Sequence, residues 1–236
     1  MFRKKKKNLI KLPTHIAFIM DGNRRWAVAR GLNKMIGHKQ GAIAMKNIIE
    51  TLMKIKEIKY ASFFAFSTEN WNRDRREIDY LFDLIYNFVE DNEEKYKKEN
   101  VKVVVMGDLS RFPQKLQDIC VRAMKETENN TGLVVNLAMN YGGRDDIVHA
   151  VNKLIESGEK KVTIENLQKN LYSFPAPDID LLIRTSGEMR ISNFMLFQMA
   201  YSELYFTKTF WPDFDEKCLQ KALVEFSKRN RRFGGT

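Results

Sequence analysis

The chain has 236 residues, of which 44% are hydrophobic and 30% are charged, and this composition excludes a disordered or fibrous protein. No apolar run reaches the roughly 18 to 20 residues that a membrane-spanning helix needs, and the basic N-terminus lacks the apolar region of a secretory signal. The two cysteines, Cys120 and Cys218, are far apart and lack the spacing of metal ligands, which predicts a reduced, cytoplasmic protein.

The formal net charge of +10 predicts an acidic partner. Nucleic acid, an anionic membrane surface and phosphorylated small molecules all fit this charge. Residues 1–12 form a basic tail, which is either solvated or held against an anionic lipid surface. Residues 13–230 are predicted to form one domain, because no repeat, low-complexity tract or linker interrupts them, and residues 231–236 form a short C-terminal tail.

Six apolar, β-rich runs alternate with helical patterns along the chain. The runs lie at residues 16–20, 60–66, 101–106, 133–139, 180–183 and 204–206. Such alternation is typical of a parallel sheet with crossover helices on both faces. The sequence therefore predicts a single α/β domain with a mostly parallel central sheet of about six strands flanked by helices.

The first predicted strand ends in the polar sequence Asp21-Gly-Asn-Arg-Arg25. In open α/β sheets, ligands collect beyond the carboxyl ends of the strands. Gly22 lets the backbone approach a ligand closely, amides at a following helix start attract an anion, and Arg25 offers forked donors. A carboxylate among such groups indicates a site for a metal ion and a phosphate, although a structural turn before a solvated helix has the same composition.

Further polar clusters follow three later strands. They lie at residues 66–73, 140–144 and 184–193. The last of these combines two arginines with hydroxyl groups in a glycine-containing loop, a composition that suits a diphosphate. The paired glycines of the 140–144 cluster are typical of a structural turn. Because the clusters recur at one sheet edge, a functional site is favoured over four independent surface loops.

Several common catalytic patterns are absent from the sequence. The chain lacks both G-x-x-x-x-G-K-[ST] and G-x-G-x-x-G, and it shows no Ser-His-Asp or zinc pattern. His38 follows a glycine and precedes a helix, where it is placed to contact an anion or move a proton. His15 and His149 are predicted to be structural. Glu203, beside the last strand, is a candidate to complete a Mg²⁺ site with Asp21.

The helical pattern that begins near Glu77 is too apolar for a single buried stripe. Its apolar residues are Ile78, Leu81, Phe82, Leu84, Ile85, Tyr86, Phe88 and Val89. Either this helix is buried between the sheet and another element, or one of its faces lines an apolar cavity for a hydrophobic ligand.

Together these motifs resemble those of the cis-prenyltransferases. The matching segments are residues 21–27, 37–38, 64–73, 182–193 and 200–203, and they occur in the family's order. The resemblance implies the fold of that family, with an apolar tunnel between sheet and helices. It also implies Mg²⁺-dependent condensation of isopentenyl diphosphate onto an allylic starter, usually farnesyl diphosphate, to give a long polyprenyl diphosphate with new cis double bonds.

The resemblance further implies residue roles in binding. Asp21 and Glu203 would bind Mg²⁺. The starter diphosphate site would comprise Gly22, Asn23, Arg24, Arg25, Lys34 and His38, with Trp26 near the reacting end. Isopentenyl diphosphate would be held by Arg184, Arg190, Ile191 and Ser192.

The same resemblance implies which residues take part in the reaction. The reacting groups would be ordered by Ser67, Thr68, Glu69, Asn70, Trp71 and Arg73. Asp21, His38 and Asn70 are the predicted catalytic residues. Asn70 is the proton acceptor that the family favours, but an amide is a poor base, so Asn70 could instead position a diphosphate oxygen or a water molecule that takes the proton.

Three positions depart from the family's usual pattern. Lys34 stands where arginine is common, Arg24 where glycine is common, and Asp74 where proline is usual. An arginine-to-lysine exchange replaces a forked contact by a point charge, which predicts weaker starter binding. None of the three removes a group that the chemistry requires.

The resemblance also bears on the apolar helix and on partners. It favours the tunnel interpretation, with Leu84, Ile85 and Phe88 setting product length and Glu77 organising the preceding loop. It implies a homodimer, and residues 232–234 match a terminal motif that can reach a neighbouring active site. Because a long apolar product must leave for lipid, we also expect peripheral contact with the membrane. Catalytically silent members of the family lack the aspartate that this chain retains as Asp21. A basic nucleic-acid-binding protein is the alternative, but no recognisable nucleic-acid-binding motif is present.

Overall fold

The structure, a computed structural model, describes residues 11–229 and contains one sheet of six strands. The strands are β1 His15–Ile19, β2 Tyr60–Ser67, β3 Lys102–Met106, β4 Val134–Tyr141, β5 Leu181–Arg184 and β6 Glu203–Phe206. Their order in the sheet is β3-β4-β2-β1-β5-β6, and every pair of neighbours is parallel. All six predicted strands are confirmed, and no strand end differs from the prediction by more than two residues.

Seven α-helices connect and flank these strands in the described part of the chain. They are α1 Asn23–Val28, α2 Lys34–Leu52, α3 Arg75–Lys98, α4 Gln114–Glu126, α5 Gly143–Glu156, α6 Ile164–Asn170 and α7 Glu216–Lys228. Two 3₁₀ helices, Thr68–Asn72 and Trp211–Asp213, follow β2 and β6. Between residues 11 and 229, none of the helices is long and apolar enough to cross a membrane.

Alternating residues of the strands face two separate cores. Ile16 and Phe18 of β1 pack in the larger core, which also contains buried residues of α2, α3, α4 and α7. Ala17 and Ile19 point to the opposite face, where Phe194 and other residues of the segment after β5 cover the sheet. Both faces of the sheet are thus buried, which explains why its strands are apolar throughout.

The position of β1 in the sheet brings three loops together. β1 lies between β2 and β5, with Phe18 opposite Phe63 and Ile19 opposite Arg184. Because neighbouring strands are parallel, the loops that follow β1, β2 and β5 leave the sheet at the same edge. The polar sequence clusters that begin at Asp21 and after β2 and β5 therefore converge there.

A buried polar network links His15, at the start of β1, to residues of β2 and β4. Nδ1 of His15 lies 2.7 Å from the carbonyl oxygen of Pro177, and its Nε2 lies 2.8 Å from Oγ of Ser62. Nδ2 of Asn136 donates to the same hydroxyl at 2.9 Å. Burial lowers the pKa of His15 to about 4. The prediction that His15 is structural is confirmed.

Candidate active site

A cavity of about 750 Å³ opens where the loops after β1 and β2 meet helices α2 and α3. Its polar lining residues are Asp21, Asn23, Arg24, Arg25, His38, Asn70 and Arg73. Its apolar lining includes Met45, Phe64, Leu81, Leu84, Ile85, Phe88 and Leu137. The cavity therefore combines a charged region with an apolar compartment, and the prediction that one face of α3 lines an apolar cavity is confirmed.

Gly22 makes the sharp turn between β1 and α1. Its φ of 105° is a conformation that favours glycine, and a Cβ here would lie 2.8 Å from the ring of Phe210 and 2.9 Å from Cβ of Ser186. The carbonyl oxygen of Asp21 accepts hydrogen bonds from Oγ1 of Thr185 at 2.7 Å and from the backbone N–H of Trp211 at 3.1 Å. The backbone of this turn is thus fixed by the segments after β5 and β6.

The carboxylate of Asp21 is held between two arginines. Its Oδ2 lies 2.9 Å from Nη2 of Arg184, and its Oδ1 lies 3.2 Å from Nη2 of Arg25. Nη1 of Arg184 also donates to Oγ of Ser192 at 2.8 Å and to the carbonyl oxygen of Arg190. The structure thus brings together the predicted metal-binding carboxylate and the predicted residues of both diphosphate subsites.

Glu77 is a buried carboxylate at the start of α3, and its side chain is 1% exposed. Its Oε2 lies 2.9 Å from Nζ of Lys34 and 4.0 Å from Nη1 of Arg24, and its Oε1 lies 3.2 Å from Nη1 of Arg73. Burial opposes ionisation, but these contacts and a hydrogen bond from His38 outweigh it, so the pKa of Glu77 lies below its usual value. Glu77 therefore gathers cations from α1, α2 and the loop after β2 at the charged region of the cavity.

His38 lines the cavity and is itself buried. Its Nε2 lies 3.2 Å from Oε1 of Glu77. Burial lowers the pKa of His38 more strongly than the hydrogen bond to Glu77 raises it. His38 is consequently neutral at pH 7, with Nε2–H as a donor to the carboxylate, and Glu77 fixes the orientation of its ring.

The loop after β2 presents Asn70 and Arg73 to the cavity and turns Trp71 away from it. Oδ1 of Asn70 accepts the backbone N–H of Ser67 at 3.1 Å, which fixes the 3₁₀ turn. Nε1 of Trp71 donates to Oδ1 of Asn140 at 2.8 Å. Its ring packs in an aromatic cluster with Phe66, Phe82 and Phe112. Trp71 thus anchors the loop by packing on the side away from the cavity.

Several predicted site residues lie outside the cavity lining. Nε1 of Trp26 donates to Oδ1 of Asp213 at 2.6 Å, and the guanidinium of Arg30 covers the indole at 4.3 Å. Glu69 lies 3.4 Å from Nδ2 of Asn193, the residue whose Oδ1 also accepts the N–H of Arg144 at the start of α5. Trp26 and Glu69 therefore fix loops in this structure.

The structure does not bring Glu203 to Asp21. Glu203 opens β6, level with Leu181 and Ile16, whereas Asp21 follows the other end of β1, beyond Ile19, which pairs with Arg184. Oε2 of Glu203 pairs with Nη1 of Arg229 at 2.8 Å. The predicted pair of metal ligands is thus not formed within one chain, and residues 11–229 hold no group of three or more His, Cys, Asp or Glu side chains arranged for a metal ion.

Two acidic residues at the site were not predicted from the sequence. Glu188 pairs with Arg25 and Arg190, and Asp213 fixes Trp26. Glu188 lies in the predicted 184–193 cluster, but nothing in the sequence distinguishes it from a surface glutamate without a role in the site. Residues 1–10 and 230–236, which include the basic N-terminal run and the 232–234 motif, lie outside the described residues.

Comparisons with known proteins agree with this geometry. The model of the family described as "Putative undecaprenyl diphosphate synthase" matches residues 19–234. An "Isoprenyl transferase" of Fusobacterium nucleatum is 47% identical over 224 residues, which cover 95% of this chain and 96% of that protein. A "Ditrans,polycis-undecaprenyl-diphosphate synthase ((2E,6E)-farnesyl-diphosphate specific)" of Vibrio vulnificus is 45% identical, with coverage of 95% and 92%.

Solved structures show the same similarity. The crystal structure of lavandulyl diphosphate synthase from Lavandula x intermedia, in complex with dimethylallyl diphosphate, has a TM-score of 0.90 at 36% identity, covering 94% of this chain and 98% of that one. The structure of a "probable undecaprenyl diphosphate synthase" from Campylobacter jejuni has a TM-score of 0.80 at 37% identity, with coverage of 95% and 99%. The chain therefore belongs to the undecaprenyl diphosphate synthase family of prenyltransferases.

Proposed function

We propose that the protein condenses isopentenyl diphosphate units onto an allylic starter, farnesyl diphosphate, to give undecaprenyl diphosphate, the precursor of a carrier lipid for cell-wall synthesis. The observation that carries the proposal is the cavity itself, which joins a charged region to an apolar compartment. The substrate and product have the same two parts, a diphosphate and a hydrocarbon chain. Names of relatives such as the Vibrio vulnificus enzyme support the choice of farnesyl diphosphate as starter.

The starter diphosphate is assigned to the cations near α1 and α2. Arg24, Arg25 and Lys34 are within 4.0 Å of a carboxylate oxygen of Asp21 or Glu77, so they are already gathered at this end of the cavity. Guanidinium groups suit phosphate oxygens because their donors are forked. The hydrocarbon of the starter extends along the apolar lining of α3.

Isopentenyl diphosphate is assigned to the loop after β5. Arg184 and Ser192 already form a hydrogen-bonded pair there, and Arg190 lies beside them with a 60% exposed side chain. Because Arg184 and Arg25 share the carboxylate of Asp21, the two diphosphate subsites are adjacent. This adjacency suits a condensation in which one substrate attacks the other.

In the proposed reaction, the bond between the allylic carbon and the diphosphate oxygen breaks as the new carbon–carbon bond forms. The negative charge that develops on the leaving diphosphate is stabilised by Arg24, Arg25 and Lys34. The proton lost from isopentenyl diphosphate passes to a diphosphate oxygen or a water molecule that Asn70 orients. His38 is neutral, and Glu77 fixes its ring. In the proposed reaction it contacts the starter and donates no proton to it.

The donor set suits Mg²⁺, because this ion is commonly bound through one or two carboxylates together with substrate phosphates and water. Asp21 lines the cavity and is 28% exposed, so an ion that arrives with a diphosphate can reach its carboxylate when the diphosphate takes over the contacts of Arg25. Asp21 would hold the ion. When bound, Mg²⁺ would neutralise charge on the leaving diphosphate.

We further propose that the protein acts as a homodimer in the cytoplasm and contacts the inner face of the membrane. The dimer is supported by the position of Glu203, which cannot reach Asp21 within one chain. Membrane contact is supported by the chemistry of the product, since a long hydrocarbon must pass from the cavity into lipid. The size of a stable particle in solution and co-sedimentation with phosphatidylglycerol vesicles test these two assignments.

The reaction is tested by incubating the protein with labelled isopentenyl diphosphate, Mg²⁺ and either farnesyl or dimethylallyl diphosphate. We expect long cis products with farnesyl diphosphate and none from an Asp21→Ala variant. Glu165→Gln, an exposed change on α6, is the matched control and should keep full activity. Short products alone would contradict chain elongation, and thermal stabilisation by an oligonucleotide but not by a diphosphate would favour a nucleic-acid-binding protein.

A further inference from the structure

Glu188, in the loop after β5, lies between two arginines that the proposed function assigns to different substrates. Its Oε1 accepts a hydrogen bond from Nη1 of Arg25 at 2.8 Å, and its Oε2 is paired with Nη1 of Arg190. Arg25 belongs to the starter subsite, and Arg190 belongs to the isopentenyl diphosphate subsite. One carboxylate thus joins the two diphosphate subsites.

The contacts of Glu188 continue into a closed ring. Arg25 also pairs with Oδ1 of Asp21 at 3.2 Å, and Oδ2 of Asp21 pairs with Arg184 at 2.9 Å. Arg184 in turn donates to the carbonyl oxygen of Arg190. In this charge ring, formed by Asp21, Arg25, Arg184, Glu188 and Arg190, each cation is matched to an oxygen acceptor of the protein itself.

A diphosphate that binds at either subsite must replace contacts of the charge ring. Glu188 is the acid more easily displaced, because both of its partners have exposed side chains, Arg25 at 45% and Arg190 at 60%, whereas Asp21 is also held by the buried Arg184. The pKa of Glu188 lies below the usual value owing to the hydrogen bond from Arg190, the charge of Arg190 and the charge of Arg25. Glu188 is therefore ionised at neutral pH and repels an incoming diphosphate.

We propose that Glu188 is a positioning residue that couples the binding of the two substrates, an inference that rests on the proposed function. Because one carboxylate neutralises both arginines, the first diphosphate to displace it leaves the other arginine without its counter-anion. The second diphosphate then binds without having to compete with Glu188. By linkage, each substrate raises the affinity for the other by the same factor.

The test is isothermal titration calorimetry on the full chain. Isopentenyl diphosphate is titrated with and without saturating farnesyl thiolodiphosphate, a starter analogue whose carbon–sulphur bond ionises slowly. In the wild type, we expect the analogue to tighten isopentenyl diphosphate binding by about fivefold or more. In Glu188→Gln, isopentenyl diphosphate alone should bind more tightly than to the wild type, and the analogue should change its affinity by less than about twofold.

The Glu188→Asp variant distinguishes the effect of contacting both arginines from the effect of negative charge alone. Aspartate keeps the negative charge but is one methylene shorter, so it cannot contact Arg25 and Arg190 together, and we expect it to lose the coupling as well. Glu165→Gln removes an exposed carboxylate that is paired with Lys169, and it should keep the wild-type coupling. Unchanged melting temperatures establish that the variants are folded.

Each outcome bears on the inference. Wild-type coupling in Glu188→Gln, or an equal loss of coupling in Glu165→Gln, would overturn it. If the wild-type chain binds both ligands but shows no coupling, the inference is wrong while the proposed function stands. If the wild-type chain binds neither ligand, the proposed function fails, and the inference fails with it.

Discussion

Arg184 and Asp21 form an ion pair with 2.9 Å between Nη2 and Oδ2, and this contact joins the loop after β5 to the loop after β1. The Arg184 side chain is 4% exposed, and its other terminal nitrogen is bonded to Ser192 and to the carbonyl oxygen of Arg190. A single guanidinium thus orders the loops after β1 and β5. Its planar geometry is essential, since a buried ammonium group cannot make these contacts together.

Replacing Arg184 by lysine is therefore expected to weaken isopentenyl diphosphate binding. We expect Arg184→Lys to raise KM for isopentenyl diphosphate by about tenfold, because the charge is kept while the forked contacts are lost. Steady-state kinetics with varied isopentenyl diphosphate measures the change. Arg75→Lys, an exposed change on α3, should leave KM as it is in the wild type. An unchanged KM in Arg184→Lys would contradict the role of the guanidinium.

The cations around Glu77 give a second prediction. Glu77→Gln leaves Lys34, Arg24 and Arg73 near one another without their buried counter-anion, so we expect a stability loss of about 3 kcal/mol. Inorganic pyrophosphate should raise the melting temperature more in this variant than in the wild type, because it supplies the missing negative charge.

Differential scanning calorimetry with and without pyrophosphate checks both parts of this prediction. Glu126→Gln removes an exposed carboxylate that pairs with Lys97, and this control should melt close to the wild type. A Glu77→Gln protein that melts like the wild type, with the same response to pyrophosphate, would show that Glu77 does not organise these cations.

The sheet and the convergence of its loops were predictable because each depends on local sequence. Strands buried on both faces are continuous apolar runs, so β1 and β2 could be located within one or two residues. Parallel strands then place Asp21, the 66–73 cluster and the 184–193 cluster at one edge without further information. The apolar residues of α3 were compatible with a fully buried helix and with a helix that lines a cavity. Only the three-dimensional packing distinguishes the two, because a cavity-facing side chain and a core side chain have the same polarity.

Contacts between distant residues were not predictable in the same way. The role of Trp26 near the reacting end of the substrate stays a prediction, whereas its indole N–H bonds to Asp213, 187 residues away in the chain, a contact that no sequence pattern indicates. Glu203 matched a family position, yet the parallel register places it at the opposite end of the sheet from Asp21. A motif gives the residue types and their order. The ion-pair partners depend on three-dimensional geometry, as the pairing of Glu188 with both Arg25 and Arg190 shows.

Phe88 of α3 is expected to influence product length. It lines the main cavity and also a small second cavity, and Leu137 is likewise shared by both. Truncation by Phe88→Ala should join the two spaces and lengthen the apolar compartment, so the product distribution should shift to longer chains. The reverse change in volume, Leu84→Trp, should shorten the products by filling the main cavity.

Chromatography of labelled products at saturating substrates measures the distribution. Val121→Ala, an exposed change on α4, should give wild-type products. Identical distributions for Phe88→Ala, Leu84→Trp and the wild type would show that these α3 residues do not limit the chain.

The His15 network predicts how stability depends on pH. The folded-state pKa of His15 is about 4, below its value of 6.5 in an unfolded chain, because the buried ring is held neutral. Between these values the unfolded state binds more protons than the folded state, so stability is full above pH 6.5 and is lost as the pH falls towards 4. From this residue alone we expect a loss of about 2 kcal/mol between pH 7 and pH 5.

Urea unfolding at pH 7 and pH 5 measures this loss in the wild type and in His15→Gln. The variant cannot gain a proton at this position, so its stability should fall by about 2 kcal/mol less over the same interval, even if it is less stable at pH 7. His149→Gln, at a half-buried ring stacked on Tyr172, is the matched control and should change the pH dependence less. Equal pH dependence of the wild type and His15→Gln would mean that His15 is not held neutral by burial, because its protonation would then cost the folded state nothing.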